Sequence, residues 1–231
     1  MKEEFELIKK YNTLIHEHHE LDCFKDKPIF VTVDLDVLDT SIMPGTGTPE
    51  VGGMNFNELV EKRESCRAFT GQAVSHEQLD TIVHAGRFAP SAKNTQPWKF
   101  YVVSGEKLEA MCDAVKVMGF NKFVDNAGAF IAIVADSNAV LDKMIKRVTS
   151  RDFIENDIGI AVASMAYQAT DLGLGSCILG AFSGKEVAGV IGLDEKQGKD
   201  VKLVLAIGHK QTAETRVKNR KSKEQTVFFV D

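Results

Sequence analysis

Apolar positions recur along the chain with two periods, and the pattern divides it near residue 54. From Glu3 to Ile15, Phe5, Ile8 and Leu14 or Ile15 fall roughly on one face, which predicts an amphipathic helix. A polar stretch, His16 to Lys27, precedes the short β-rich run Ile29-Phe30-Val31-Thr32-Val33. Pro44 to Gly53 holds two of the five prolines and four of the 18 glycines, so it predicts a loop or linker.

Beyond that boundary helices and strands alternate. Phe56 to Glu64 predicts a helix with Phe56, Leu59 and Val60 turned inward. Ser75-His76-Glu77-Gln78 has the form of a capping box and opens a helix carrying Leu79, Ile82 and Val83. Trp98 to Val103 predicts a strand, and a helix follows through Leu108, Met111, Val115 and Met118. Ala129 to Val134 is almost continuously apolar, as in a central strand buried on both faces. Asp157 to Leu172 sets Ile158, Ala161, Val162, Met165, Ala169 and Leu172 at helical spacing, with small residues that admit a close neighbour. Gly173-Leu174-Gly175 ends it; a short helix (Lys185 to Ile191) and a strand (Val201 to Ile207) come next. The tail Val227-Phe228-Phe229-Val230 is too apolar to be left in water. The order predicts an α+β architecture in three layers, a sheet wrapped by helices.

At 231 residues the chain suffices for one large domain, or one domain with an appendage. Its most apolar stretch, Ala127 to Ala135, is only strand-length, so no membrane span is expected, and the start of the chain lacks the apolar core of a secretory signal. Four cysteines (Cys23, Cys66, Cys112, Cys177) without a CxxC pair argue against zinc or a disulfide framework and read as reduced thiols of a cytoplasmic protein. A net charge of −5 argues against a nucleic-acid partner. The charge is uneven: Arg216 to Lys223 holds five cations, a local patch suited to a small anion.

Two segments carry candidate chemistry. In Arg63-Glu64-Ser65-Cys66-Arg67-Ala68-Phe69 two arginines four apart can converge on one anion, and guanidinium is well shaped for phosphate. In Ala89-Pro90-Ser91-Ala92-Lys93-Asn94-Thr95-Gln96-Pro97-Trp98 two prolines stiffen a loop that offers Ser, Asn and Gln groups to polar ligand edges. Together, from Asn55 to about Lys223, they resemble the nitroreductase family, whose domains open with Arg-x-Ser-x-Arg-x-Phe and continue with Pro-Ser-x-x-Asn-x-Gln-Pro-Trp.

The resemblance implies a three-layer α/β/α fold with a mainly antiparallel sheet, a homodimer, and FMN as cofactor. By motif, Arg63, Ser65 and Arg67, with Glu64 among them, would meet the FMN phosphate, ribityl chain and pyrimidine edge. Pro90, Ser91, Ala92 and Asn94, with Gln96, would lie against the flavin from the partner subunit. The Leu174 to Phe182 segment would pass along the isoalloxazine through Ile178, Leu179 and Gly180, a backbone amide near Gly180 meeting N5, where hydride is accepted. Many relatives carry Glu at the place of Leu179. Arg220, helped by Lys218, would hold the phosphate. NAD(P)H would deliver hydride to FMN, leave, and give way to a nitroaromatic, quinone or similar acceptor, with no side chain acting as catalytic acid or base. The helix Asp157 to Leu172 and the apolar tail are candidate dimer elements. A specialised flavoprotein of the same fold is the alternative, though Gly119 to Asp157 leaves little room for a substrate lid; so is a flavin-binding protein without turnover.

Residues Phe30 to Pro49 are similar to a second family, the ureohydrolases (agmatinases and arginases), with a departure at Thr40, where those enzymes usually have Pro. There Asp34 and Asp36 match manganese ligands. The chain has neither the Gly-Gly-Asp-His nor the Asp-Ala-His segment such a site needs, and His16, His18 and His19 stand on a polar stretch, so no metal site is expected. Residues 1–54 are expected to be a non-functional appendage and 55–231 the flavin domain.

Overall fold

The computed structural model describes residues 56–136 and 153–230. By internal contacts the chain divides into Met1–Glu50 and Val51–Asp231. The expected helix Glu3 to Ile15, the run Ile29 to Val33, the Asp34 and Asp36 segment and the loop Pro44 to Gly53 lie outside the described residues.

Four strands form one antiparallel sheet: β1 (Trp98–Val103), β2 (Ala129–Ala135), β3 (Leu174–Leu179) and β4 (Val201–His209), in the order β1-β2-β4-β3. β2 is buried along nearly its whole length because it lies inside the sheet with helices on both faces, which accounts for its unbroken apolar run. Its side chains alternate between two cores. Phe130, Ala132 and Val134 join Val204 and Ala206 of β4 beneath α3 (Leu108–Val115) and α5 (Gly184–Val190). Ala129, Ile131 and Ile133 join Leu205 and Ile207 beneath α2 (His76–Arg87) and α4 (Ile154–Asp171). Helices on both faces of an antiparallel sheet give the three-layer α+β fold that the residue pattern predicts. Each large side chain so enclosed, such as Phe130, Ile131 or Met165, contributes roughly 1.5–3 kcal/mol.

The capping box forms as expected: Ser75 Oγ accepts from Gln78 N–H and Gln78 Oε1 from Ser75 N–H, both at 3.2 Å. Other expectations need correction. Helix α1 (Phe56–Lys62) stops before Glu64, and its apolar face is not inward: Phe56 is 65% exposed and Val60 38%. It rests on α4 at the rim, with the Phe56 ring beside Tyr167, and among the described residues no element closes over it. α3 ends at Val115, not Met118, because Lys116 turns extended and the Asn121 side chain caps the Val115 carbonyl at 2.8 Å. Leu174–Leu179, which the residue pattern does not mark as a strand, is one, held on one side by β4. The tail residues Phe228 and Phe229 are 77% and 79% exposed, so within one chain they do face water.

Candidate functional site

The Arg63 to Phe69 segment is built by a change of backbone. Arg63 N–H still closes the last turn of α1 on Leu59 O at 2.9 Å. The chain then straightens: Ser65 pairs in parallel with Ser176 of β3, and Cys66 N–H donates to Ser176 O at 2.8 Å. This close approach requires Gly175, where a Cβ would stand 2.6 Å from Cys66 Sγ. Phe69 then pairs with Lys210 just beyond β4, and Gln211 donates to the carbonyls of Ala68 and Phe69. The arginine segment is thereby fixed to the free edge of β3, and residues 211–220 are led back towards it.

Between the two segments lies a cleft of about 250 Å³, lined by Arg63, Glu64, Ser65, Arg67, Arg216, Val217, Lys218, Asn219 and Arg220. Its wall holds five cations and one carboxylate. Glu64 takes one cation for itself. Its Oε2 accepts from Arg216 Nε at 2.9 Å and from Arg216 N–H at 3.4 Å, while Arg216 Nη2 donates to Ser65 O. Burial pushes the Glu64 carboxyl up, but the hydrogen bonds and charge of Arg216 outweigh it and hold the group below its ordinary range. Lys218 Nζ donates to Val60 O, near the C-terminal end of α1, at 2.8 Å. Its pKa is lowered, first by burial and then by the neighbouring charges of Arg63 and Arg220. Arg67 lies over the Phe123 ring, 5.8 Å from its centroid. Cations that crowd one another around an open cleft are stabilised by an anion, and phosphate matches both their charge and their donor geometry.

Of the residues singled out in the sequence, Arg63, Glu64, Ser65, Arg67, Lys218 and Arg220 come together in this cleft. Pro90, Ser91, Ala92, Asn94 and Gln96 do not line it. Gln96 instead borders a separate hollow of about 420 Å³ with Arg87, Phe88, Trp98 and Phe100. Ile178 is exposed on β3 and Gly180 follows the strand in the open, whereas Leu179 is 2% exposed and belongs to the core. Arg216 was hidden inside the basic run; its acidic partner lies 152 residues away, a relation no local pattern carries. Among the described residues no group of His, Cys, Asp and Glu is placed to hold a metal, and no helix is long and apolar enough to cross a membrane.

Fold and cleft together define an α+β protein with a cationic cleft at the edge of its sheet. The nitroreductase family model matches residues 60–209, and the chain belongs to that family. A Streptococcus pyogenes relative described as an NAD(P)H nitroreductase is 35% identical over 108 residues, 46% of this chain and 52% of that protein, so the match spans about half the relative's length. An FMN-dependent nitroreductase structure from Clostridium difficile superimposes with a TM-score of 0.58 at 28% identity, covering 75% of this chain and 98% of the other. The leading part has a separate likeness: the arginase family model matches residues 8–77, and an agmatinase from Bacillus cereus is 40% identical over 68 residues, 26% of this chain and 23% of that enzyme.

Proposed function

We propose that the Val51–Asp231 unit is an FMN-dependent oxidoreductase that passes hydride from NAD(P)H to a nitroaromatic, quinone or similar acceptor. The observation that carries this reading is the convergence of Arg63, Arg67, Lys218 and Arg220 on one cleft, with Glu64 already committed to Arg216. The residues fit the cofactor: a phosphate dianion satisfies cations that otherwise repel one another. FMN supplies the hydride-accepting chemistry when bound. The chain's own part is to grip and orient. Lys218 and Arg220 neutralise the phosphate, Ser65 and the arginines of its segment fix the ribityl chain and pyrimidine edge, and the backbone at Gly180 offers a donor at the end of β3.

The Pro90–Asn94 loop, which stands outside the cleft of its own chain, completes the site from a second copy. Exposed apolar groups on α4 and the tail, Ile160, Phe228 and Phe229, supply surface for that contact. Free buried cysteines (Cys66, Cys112, Cys177) suit a reducing cytoplasm. Residues 1–54 take no part in turnover; manganese with agmatine should yield no urea.

The deciding experiment is the visible spectrum of the purified protein, with the released cofactor identified by chromatography and anaerobic bleaching by NADH or NADPH followed in time. A yellow protein that releases FMN and bleaches is expected. A colourless protein that takes up neither FMN nor FAD removes the proposal, and one that binds FMN without bleaching reduces it to a flavin-binding protein.

A further inference from the structure

The Ser91–Gln96 loop is held in a shape that its residues do not choose. Lys93, Asn94 and Gln96 have φ of 52°, 54° and 47°, left-handed conformations that Asn adopts readily but Lys and Gln keep only where the surroundings impose them. Most of its bonds are local. Ser91 Oγ accepts from Gln96 N–H at 3.0 Å, Asn94 N–H donates to Ser91 O at 2.9 Å, and Gln96 Nε2 donates to Asn94 Oδ1 at 3.3 Å. Among the described residues two hydrogen bonds tie the loop to the body. At the far end Asp136 N–H donates to Pro97 O at 3.1 Å, just beyond the Trp98–Ala135 end of the β1–β2 pairing. At the near end Ala92 N–H donates to Asp157 Oδ2 at 3.1 Å, from a residue 65 positions later.

Asp157 is an expensive residue at its place. It lies in the first turn of α4 with 5% exposure, next to Ile158 of the core. Among the described residues no cation pairs with it, and Ala92 N–H is its side-chain hydrogen-bond partner. A buried carboxylate without a counter-ion is costly, offset here by one charge-assisted N–H and the positive end of the α4 dipole. An apolar residue would serve core packing better, so what the carboxylate contributes is the tie to the loop.

We infer that Asp157 is a positioning residue for the flavin-facing loop: by holding Ala92 N–H it sets the Ser91–Asn94 backbone in the shape presented to the cofactor. This rests on the reading of Pro90–Asn94 as a cofactor contact. Asp157 touches neither flavin nor substrate itself.

The test uses the full chain and FMN as the probe, with Asp157→Asn and Asp157→Ala compared by FMN titration, by visible circular dichroism of the bound flavin and by thermal melting. Asparagine keeps an acceptor oxygen for Ala92 N–H, so its affinity should stay within about threefold of wild type. Alanine leaves the N–H without a partner and frees the loop, so affinity should fall about tenfold and the flavin band change shape, on the scale of one lost hydrogen bond. A purely structural role would lower the melting point of Asp157→Ala and leave both flavin readouts of the folded protein unchanged; that result, or Asn as weak as Ala, overturns the inference. If Asp157→Ala does not fold, Ala92→Pro decides. It removes the donor instead, and Ser91 before it is already extended at φ −139°, ψ 155°, as a residue preceding proline must be. Wild-type affinity in that variant overturns the tie. A wild-type chain that takes up no FMN removes the cofactor reading beneath it, whereas normal wild-type binding with unaltered variants removes only Asp157.

Discussion

Among the described residues, Arg216 is the cleft cation that is ion-paired with a carboxylate. Its Nε and backbone N–H go to Glu64 and its Nη2 to Ser65 O, so it fastens residues 216–220 onto the arginine segment. With 60% of the Arg216 side chain in solvent, the ion pair itself is worth under about 1 kcal/mol. The pH dependence has a definite sign. A carboxyl whose folded value lies below its ordinary 4.5 gives stability that is fully present above that value and is lost as pH falls through the lowered one. Wild type should therefore melt slightly above Glu64→Gln at pH 7, the gap closing below about pH 4.5; a gap that persists unchanged to pH 3 contradicts the pairing. The other cations face the cleft. Replacing Arg67 with Ala should weaken FMN retention by about 1–3 kcal/mol, the scale of a charge-assisted contact. Arg220→Ala should cost a similar amount with FMN yet leave riboflavin, which lacks the phosphate, bound as in wild type. Equal loss for both flavins would take Arg220 off the phosphate.

At the level of elements, the approach of α5 to the 3-10 turn Glu195–Asp200 depends on two glycines. A Cβ on Gly184 would stand 2.3 Å from Gly198 O, and backbone cannot yield as a flexible side chain can. Gly184→Ala should cost roughly 1–3 kcal/mol by forced overpacking, seen as a fall in melting temperature of about 2–4 °C per kcal/mol for a chain of this size. An unchanged melting point would mean that α5 sits further from the turn. Period and punctuation had revealed β1 at its observed bounds, β2 to within a residue, and the capped start of α2, because in each the local pattern and the tertiary environment agree. β3 escaped notice because Gly175, Ser176 and Cys177 are small and carry no strand pattern; neighbours on both sides make it a strand. α1 is the converse case, a helical period whose apolar face has no cover among the described residues. The site divides in the same way. The arginine pair is visible in seven consecutive residues, while the Glu64–Arg216 pair and the Ala92–Asp157 tie depend on contacts across 152 and 65 positions.

For the whole molecule, the decisive question is whether one chain suffices. The cationic cleft and the strained loop are both formed, yet the loop contributes nothing to the cleft of its own chain. Among the described residues Phe56, Phe88, Ile160, Phe228 and Phe229 are also left exposed, apolar side chains that a partner surface could cover. The proposed two-fold pairing would account for both, with each copy covering the other and lending it a loop. Such a shared site makes a prediction that no single-chain site can imitate. One variant, Arg63→Ala with Arg67→Ala, damages the cleft; a second, Ser91→Ala with Asn94→Ala, damages the loop. Each alone should purify nearly free of FMN. When the two are co-expressed and assort at random, half the dimers are mixed, and each mixed dimer has one site with both defects and one with neither, so flavin content should recover to about a quarter of wild type. A cleft and loop that served the same chain would leave every site damaged, and no mixture would recover any flavin.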